Sequence, residues 1–187
     1  MFSGKTTLLR STLAKFLPLK LSVCYLNSKR DTRTTTGGNG KFSTHSSLDL
    51  SSDGLAEFKL DSLSDFESQL TDYAVIGIDE SHFFGEELVP TVIKWVREHH
   101  KCVVVTILSG TFERKPFSSR PMDLYAEADE RKTADDAFCT HCWKNDQKIV
   151  RAPFTARLTA SHDELESGGH DDYVPTCRRH HNEISGI

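Results

Sequence analysis

The sequence predicts an α/β protein: a parallel sheet of phosphate-loop type flanked by helices, followed by a small metal-held lobe. Three observations carry this. Amphipathic helical stretches alternate with short β-branched runs through the first 120 residues, the pattern of a parallel sheet covered by helices. A Gly-Lys-Thr-Thr string opens the first helix, and the acids Asp79 and Glu80 close a buried strand. Beyond Pro121 aliphatic runs give way to charges and turns, and Cys-x-x-Cys and Cys-x-x-His pairs stand there. The expected division is an α/β domain over 1–120 and a metal-binding lobe over 121–187.

Taken in order, Leu8, Leu9, Thr12, Leu13 and Phe16 fall on one helix face, and Pro18 ends that helix. Leu19 to Leu26 is β-rich and predicts a strand. Asn27 to Asp53 is rich in Ser, Thr, Gly and Asn, so a long, mobile loop is expected, either functional or disordered. Leu63, Phe66 and Leu70 mark a short helix, with Asp61 or Ser62 as its cap. Tyr73 to Asp79 predicts a buried strand. Glu86 to His100 predicts a helix with Val89, Val92, Ile93 and Val96 turned inward and Pro90 tolerated near its start. Cys102 to Leu108 predicts another buried strand.

The chain has 187 residues, 37% hydrophobic and 27% charged, with a formal net charge of -4. That balance gives no electrostatic footprint for a nucleic-acid polymer or an anionic membrane. No apolar run approaches the roughly 20 residues of a membrane-spanning helix, and the N-terminus lacks a secretory pattern. Five cysteines, an odd number with one tight pair, argue for metal and buried thiols in a reducing compartment. A cytoplasmic protein is expected. Cys24 and Cys102, in predicted strands, are expected to pack in the core.

Ser3-Gly4-Lys5-Thr6-Thr7 carries the last part of a G-x-x-x-x-G-K-[ST] phosphate loop. Gly4 lets backbone N–H groups bend toward phosphate, Lys5 supplies a point charge, and Thr6 offers a hydroxyl to Mg²⁺. The helix dipole adds to this. Asp79, at the carboxyl end of a buried strand, completes the pattern of a site for ATP with Mg²⁺. Glu80 beside it suits a base that accepts a substrate hydroxyl's proton, or one that polarises water. Cys139, Cys142, Cys177 and His180 make two knuckles of a closed Cys₃His zinc site, with His141 and His181 as spare donors.

Several strings then resemble the cellular-type (type II) thymidine kinase family: Met1 to Thr7, Lys29 to Arg33, Phe42 to His45, Ile76 to Phe84, and Gly110 to Phe117. Thr155 to Leu158, Gly168-Gly169 leading to Tyr173, and the Cys177…His180 knuckle extend the resemblance over nearly the whole chain. The resemblance implies ATP-dependent phosphorylation of thymidine in a cytoplasmic homotetramer. It implies Lys5 and Thr6 for ATP and Mg²⁺, Asp79 for Mg²⁺, and Glu80 as general base for the 5′-hydroxyl. Phe83 would stack on thymine, while Met1, Leu108, Phe112, Phe117 and Thr155 close the pocket around the base. Tyr173 would lie in the lasso, a loop pinned by zinc that folds over the substrate.

The chain departs from the family in places. The family's leading Gly-Pro and the strand before it are absent ahead of Met1, so the sheet is expected to lack its first strand. Ser46 replaces a usual Asp, Ser81-His82 a Gly-Gln, and Ser109 an Asp. The competing expectation is a truncated remnant that binds nucleoside but does not use ATP productively. A third reading, an ATPase with a zinc ribbon acting on nucleic acid, conflicts with the acidic balance and the lack of a basic, aromatic patch.

Overall fold

The computed structural model describes residues 3–31, 55–161, 163–169 and 171–186. At its centre lie β1 (Val23–Ser28), β2 (Ala56–Leu60), β3 (Val75–Ile78) and β4 (Cys102–Val105), in the order β2-β1-β3-β4. Every neighbouring pair is parallel. Side chains alternate along β1 and β3, which sends successive residues to opposite helical layers. Val23, Tyr25 and Val75 meet Leu9 and Leu13 of α1 (Lys5–Ala14). Cys24, Leu26, Ile76 and Ile78 meet Leu88, Val92 and Trp95 of α2 (Leu88–Arg97), with Leu63, Phe66 and Leu70 of a 3₁₀ stretch beside them. The expected parallel, helix-flanked sheet is therefore present.

A glycine sets the distance between α1 and the sheet. A Cβ at Gly77 would stand 2.4 Å from Leu13 Cδ1, closer than packed carbons tolerate. Its absence lets α1 settle against β3, so the start of the helix comes over the carboxyl end of the strand.

Local boundaries differ from expectation for identifiable reasons. Pro18 sits in a 3₁₀ turn, Leu17–Leu19, and β1 begins only at Val23. That strand runs on through Asn27 and Ser28, expected in the loop; both are fully buried. Asn27 Nδ2 donates to Asp31 Oδ2 at 3.0 Å, and Ser28 N donates to Asn27 Oδ1 at 2.8 Å. Residues 32–54, most of the expected loop, lie outside the described residues. The edge strand β2 was not anticipated, although Ala56, Phe58 and Leu60 alternate with Glu57 and Lys59; Glu57 pairs with Arg10 of α1 at 2.6 Å. Of the two candidate caps, Ser62 serves, in a reciprocal box with Asp65.

The α2 helix starts at Leu88 because a 3₁₀ stretch, Ser81–Glu87, occupies the preceding residues and turns at Gly85 (φ 62°, ψ −143°). Its buried face is Leu88, Val92 and Trp95, so of the expected stripe only Val92 is fully inside. Val89 and Ile93 only flank it, and Val96 points outward. The Trp95 indole reaches Phe66 at 5.9 Å and fills the space that smaller side chains would leave. Cys24 is in the core as expected, with burial first pushing its thiol up to about 12. Cys102 is not: it is exposed at the start of β4, an edge of the sheet among the described residues.

The rest of the chain builds smaller pieces: α3 (Asp123–Glu127) and two antiparallel hairpins. In the first, β5 (Ala137–Phe138) pairs with β6 (Arg151–Ala152), with α4 (Thr140–Asp146) between them. In the second, β7 (Phe154–Arg157) pairs with β8 (Tyr173–Thr176), and α5 (Arg178–Ser185) follows.

Candidate active site and metal centre

The start of α1 meets the end of β3. Gly4, exposed and left-handed at φ 77°, turns the chain into the helix at an angle that a side chain would strain. Lys5 Nζ lies 3.4 Å from Ser3 Oγ, and Thr6 Oγ1 donates to Asp79 Oδ2 at 2.6 Å. Of the five phosphate-loop candidates, Thr6 bonds Asp79 directly; Lys5 and Ser3 touch each other, Gly4 leads into the helix, and Thr7 lies within its first turn.

Asp79 is 1% exposed, and a carboxylate so placed needs donors. It has them. Besides Thr6, Tyr25 O–H donates to Oδ2 at 2.7 Å, Thr106 O–H to Oδ1 at 2.6 Å, and the Glu80 N–H to Oδ1 at 3.0 Å. Burial first, and then the Asp79 charge, raise the Tyr25 phenol well above its ordinary value, so Tyr25 stays a donor. Sequence reasoning missed Tyr25 and Thr106. The only signal for them is position: each lies on a strand adjoining β3, or just past its end.

Glu80 turns the chain off β3 in a left-handed conformation, φ 44° and ψ 43°, which is uncommon without glycine and collects at functional sites. Its N–H is also 3.2 Å from Thr106 Oγ1. Glu80 Oε2 lies 3.7 Å from His82 Nδ1, both side chains nearly buried. The His82 ring packs, tilted, against Phe83 at 4.3 Å and Phe117 at 5.2 Å. Phe83 and Phe117 are each 5% exposed. His82, which spacing did not single out, therefore joins the proposed base to the two aromatic residues.

Phe112 and Tyr173 meet through Arg157, whose guanidinium lies over both rings. The Phe112 carbonyl also lies 2.8 Å from Nε2 of buried His181 in α5. Thr155 pairs across the hairpin with Pro175. Leu108 is half-buried past the end of β4. Met1 lies outside the described residues, as do Phe42 to Ser46. An open cleft of about 410 Å³ lies between Arg30, Ser118 and Asp163 to Leu165. Glu164 Oε1 bridges it, accepting from Ser118 N and Oγ at 2.9 Å each.

Cys139, Cys142, Cys177 and His180 converge, with ligand atoms all within 4.8 Å of one another. Nδ1 of His180 is 3.3, 3.4 and 3.5 Å from the sulfurs of Cys139, Cys142 and Cys177. The Cys142 and Cys177 sulfurs are 3.7 Å apart. Such spacings are the edges of a tetrahedron with metal–sulfur bonds of about 2.3 Å and metal–nitrogen bonds of about 2.0 Å. Although burial opposes it, the backbone N–H groups of Cys177 and Cys142 draw the Cys139 thiol down to about 6. Burial, and then the neighbouring sulfurs, push Cys142 up to about 12. Soft ligands so closely grouped are the donor set of a metal ion. Neither spare donor joins them: His181 bonds Phe112 instead, and His141 is absent from the cluster, its ring 5.4 Å from that of His180.

Fold and site together define an α/β protein whose helix start faces an acidic strand end and whose C-terminal part carries a Cys₃His cluster. The sequence model of the family described as thymidine kinase matches residues 1–181. Thymidine kinase 1 of Dictyostelium discoideum is 33% identical over 182 residues, covering 95% of this chain and 72% of that protein. Thymidine kinases of Myxoma virus (strain Uriarra) and Raccoon poxvirus are 33% and 30% identical, each match covering 96% of this chain and 90% of the relative. The chain belongs to the thymidine kinase family, and so to the phosphotransferases. No helix among the described residues is long and apolar enough to cross a membrane.

Proposed function

We propose that the protein transfers the γ-phosphate of ATP to the 5′-hydroxyl of thymidine, giving thymidine 5′-monophosphate for salvage DNA synthesis. Family membership supports the reaction class. The observation that carries the reading is the 2.6 Å contact from Thr6 at the start of α1 to Asp79 at the end of β3.

Ser3, Gly4, Lys5, Thr6 and Thr7 would cradle the ATP phosphates, because a helix start offers unpaired N–H groups and the positive end of its dipole. The Thr6 hydroxyl and Asp79 carboxylate are hard oxygen donors of the kind Mg²⁺ takes. When bound there, the ion neutralises phosphate charge. Glu80 would accept the 5′-hydroxyl proton as the bond to phosphorus forms. Phe83 would stack on the base, with Met1, Leu108, Phe112, Phe117, Thr155 and Tyr173 around it. Burial of these aromatic groups would keep water from competing for the phosphoryl group.

Cys139, Cys142, Cys177 and His180 suit Zn²⁺, and four protein ligands leave no open position, so its role is structural. The same reading divides the chain into 1–120 for ATP and 121–187 for the zinc-held lasso, and makes the protein a cytoplasmic homotetramer. Neither a nucleic-acid polymer nor a membrane is a partner in it. A coupled assay of ADP release with thymidine, with deoxycytidine and with neither tests the reaction. Thymidine- and Mg²⁺-dependent release is expected; release indifferent to nucleoside would contradict it.

A further inference from the structure

Arg157 ends β7, and its side chain is 2% exposed. The guanidinium lies 3.9 Å from the Phe112 ring centroid and 5.0 Å from that of Tyr173. Nη1 donates to the Ser161 carbonyl at 2.9 Å and lies 3.4 Å from Glu166 Oε2. Nη2 donates to the Tyr173 hydroxyl, which in turn donates to the Glu166 carbonyl at 3.0 Å. One cation therefore gathers the Phe112 loop, Ser161, Glu166 and β8.

Two features separate this from ordinary packing. A buried charge persists only when paired and hydrogen-bonded; Arg157 finds those partners at Nη1 and Nη2, beyond its own strand, while its Nε has no hydrogen-bond partner among the described residues. The arrangement also needs a planar fork that stacks and bonds in two directions, which a lysine ammonium cannot supply. Nearby Gly168 has no room for a side chain: a Cβ there would stand 2.6 Å from Tyr173 Cε2. The Tyr173 ring is thus in close contact with both Arg157 and the Gly168 backbone.

We propose that Arg157 is a positioning residue for the nucleoside: it fixes Tyr173 and the Glu166 segment against Phe112, so that the pocket is formed before substrate arrives. This rests on the thymidine reading above. Loss of Arg157 should weaken thymidine binding and leave ATP binding and the metal cluster alone.

The test compares Arg157→Lys, Arg157→Met and Tyr173→Phe in the full chain. Measured are KM for thymidine and for ATP, metal content, and amide hydrogen exchange over residues 158–169. Both Arg157 variants should raise thymidine KM about 10- to 100-fold, the loss of one or two bonds to a charged group. ATP KM should stay within about twofold, metal content should match the unaltered protein, and exchange should quicken over 158–169. Tyr173→Phe, which keeps the ring, should give a smaller rise. Unchanged thymidine KM, equal rises for both substrates, or an Arg157→Lys variant matching the unaltered protein would overturn the proposal. If the unaltered chain turns over no thymidine, the functional reading fails separately. Exchange then decides: quickening confined to 158–169 upholds the positioning role, and unchanged exchange refutes it.

Discussion

Replacing Thr106 with valine removes a hydroxyl and keeps the shape, so it isolates what holds Asp79 in place. Thr106 Oγ1 donates to Asp79 Oδ1 at 2.6 Å and accepts from the Glu80 N–H at 3.2 Å. A bond to a charged group contributes about 1.5–3 kcal/mol and a neutral one about 0.5–1.5 kcal/mol. Asp79 would retain Thr6, Tyr25 and the Glu80 N–H as donors, which places the loss near the lower end, about 2 kcal/mol. For a chain of this size that lowers the thermal midpoint by roughly 4–8 °C. Thr106→Ser keeps the hydroxyl and loses one methyl, about 1 kcal/mol at most. Urea and thermal unfolding of both variants provide the measurement. Thr106→Val within about 0.5 kcal/mol of the unaltered protein, or Thr106→Ser as unstable as Thr106→Val, would refute the hydrogen-bond argument.

Glu80→Gln keeps shape and removes proton acceptance; turnover should fall about 10²- to 10⁴-fold with thymidine KM little changed, read by steady-state kinetics. Cys177→Ser should cost the bound metal and loosen both hairpins, since a closed four-ligand site contributes folding energy; metal analysis and proteolysis of the 137–186 segment check it. Gly77→Ala forces a Cβ to within 2.4 Å of Leu13 Cδ1, an overpacking cost of about 1–3 kcal/mol. Pairing it with Leu13→Ala should recover part of that in denaturant unfolding.

How much of this was legible in the sequence depends on the kind of residue. The continuous apolar runs at Val75–Ile78 and Cys102–Val105 announce strands of a parallel sheet; Val75–Ile78 is buried throughout, whereas Cys102–Val105, at an edge among the described residues, is only partly covered. The metal cluster is equally plain, since soft ligands at knuckle spacing have few other uses. Thr6 and Asp79 were legible as a pair because helix starts and strand ends carry their own signatures. Tyr25, Thr106 and His82 were not, because each acts through tertiary placement: a tyrosine within a buried strand looks like core until its hydroxyl finds Asp79. Strand β2 does carry a period-2 signal, Ala56, Phe58 and Leu60 against Glu57 and Lys59, but at five residues it is short enough to pass for the end of the polar stretch before it. Trp95 joins Val92 in the core and pushes Val89 and Ile93 to its flank. Arg157 stood inside a recognisable string, yet its role emerges only where the chain brings Phe112, Glu166 and Tyr173 around it.

The central claim is that the α1 start and the β3 end together move phosphate onto one hydroxyl of thymidine. Its most direct test is the ³¹P spectrum of the product formed from ATP and thymidine with Mg²⁺, recorded for the unaltered chain and for Glu80→Gln. The account predicts a single phosphomonoester on the 5′-oxygen, formed by the unaltered chain and strongly diminished in Glu80→Gln. Inorganic phosphate in place of a thymidine ester, or an ester on the 3′-oxygen, would contradict it.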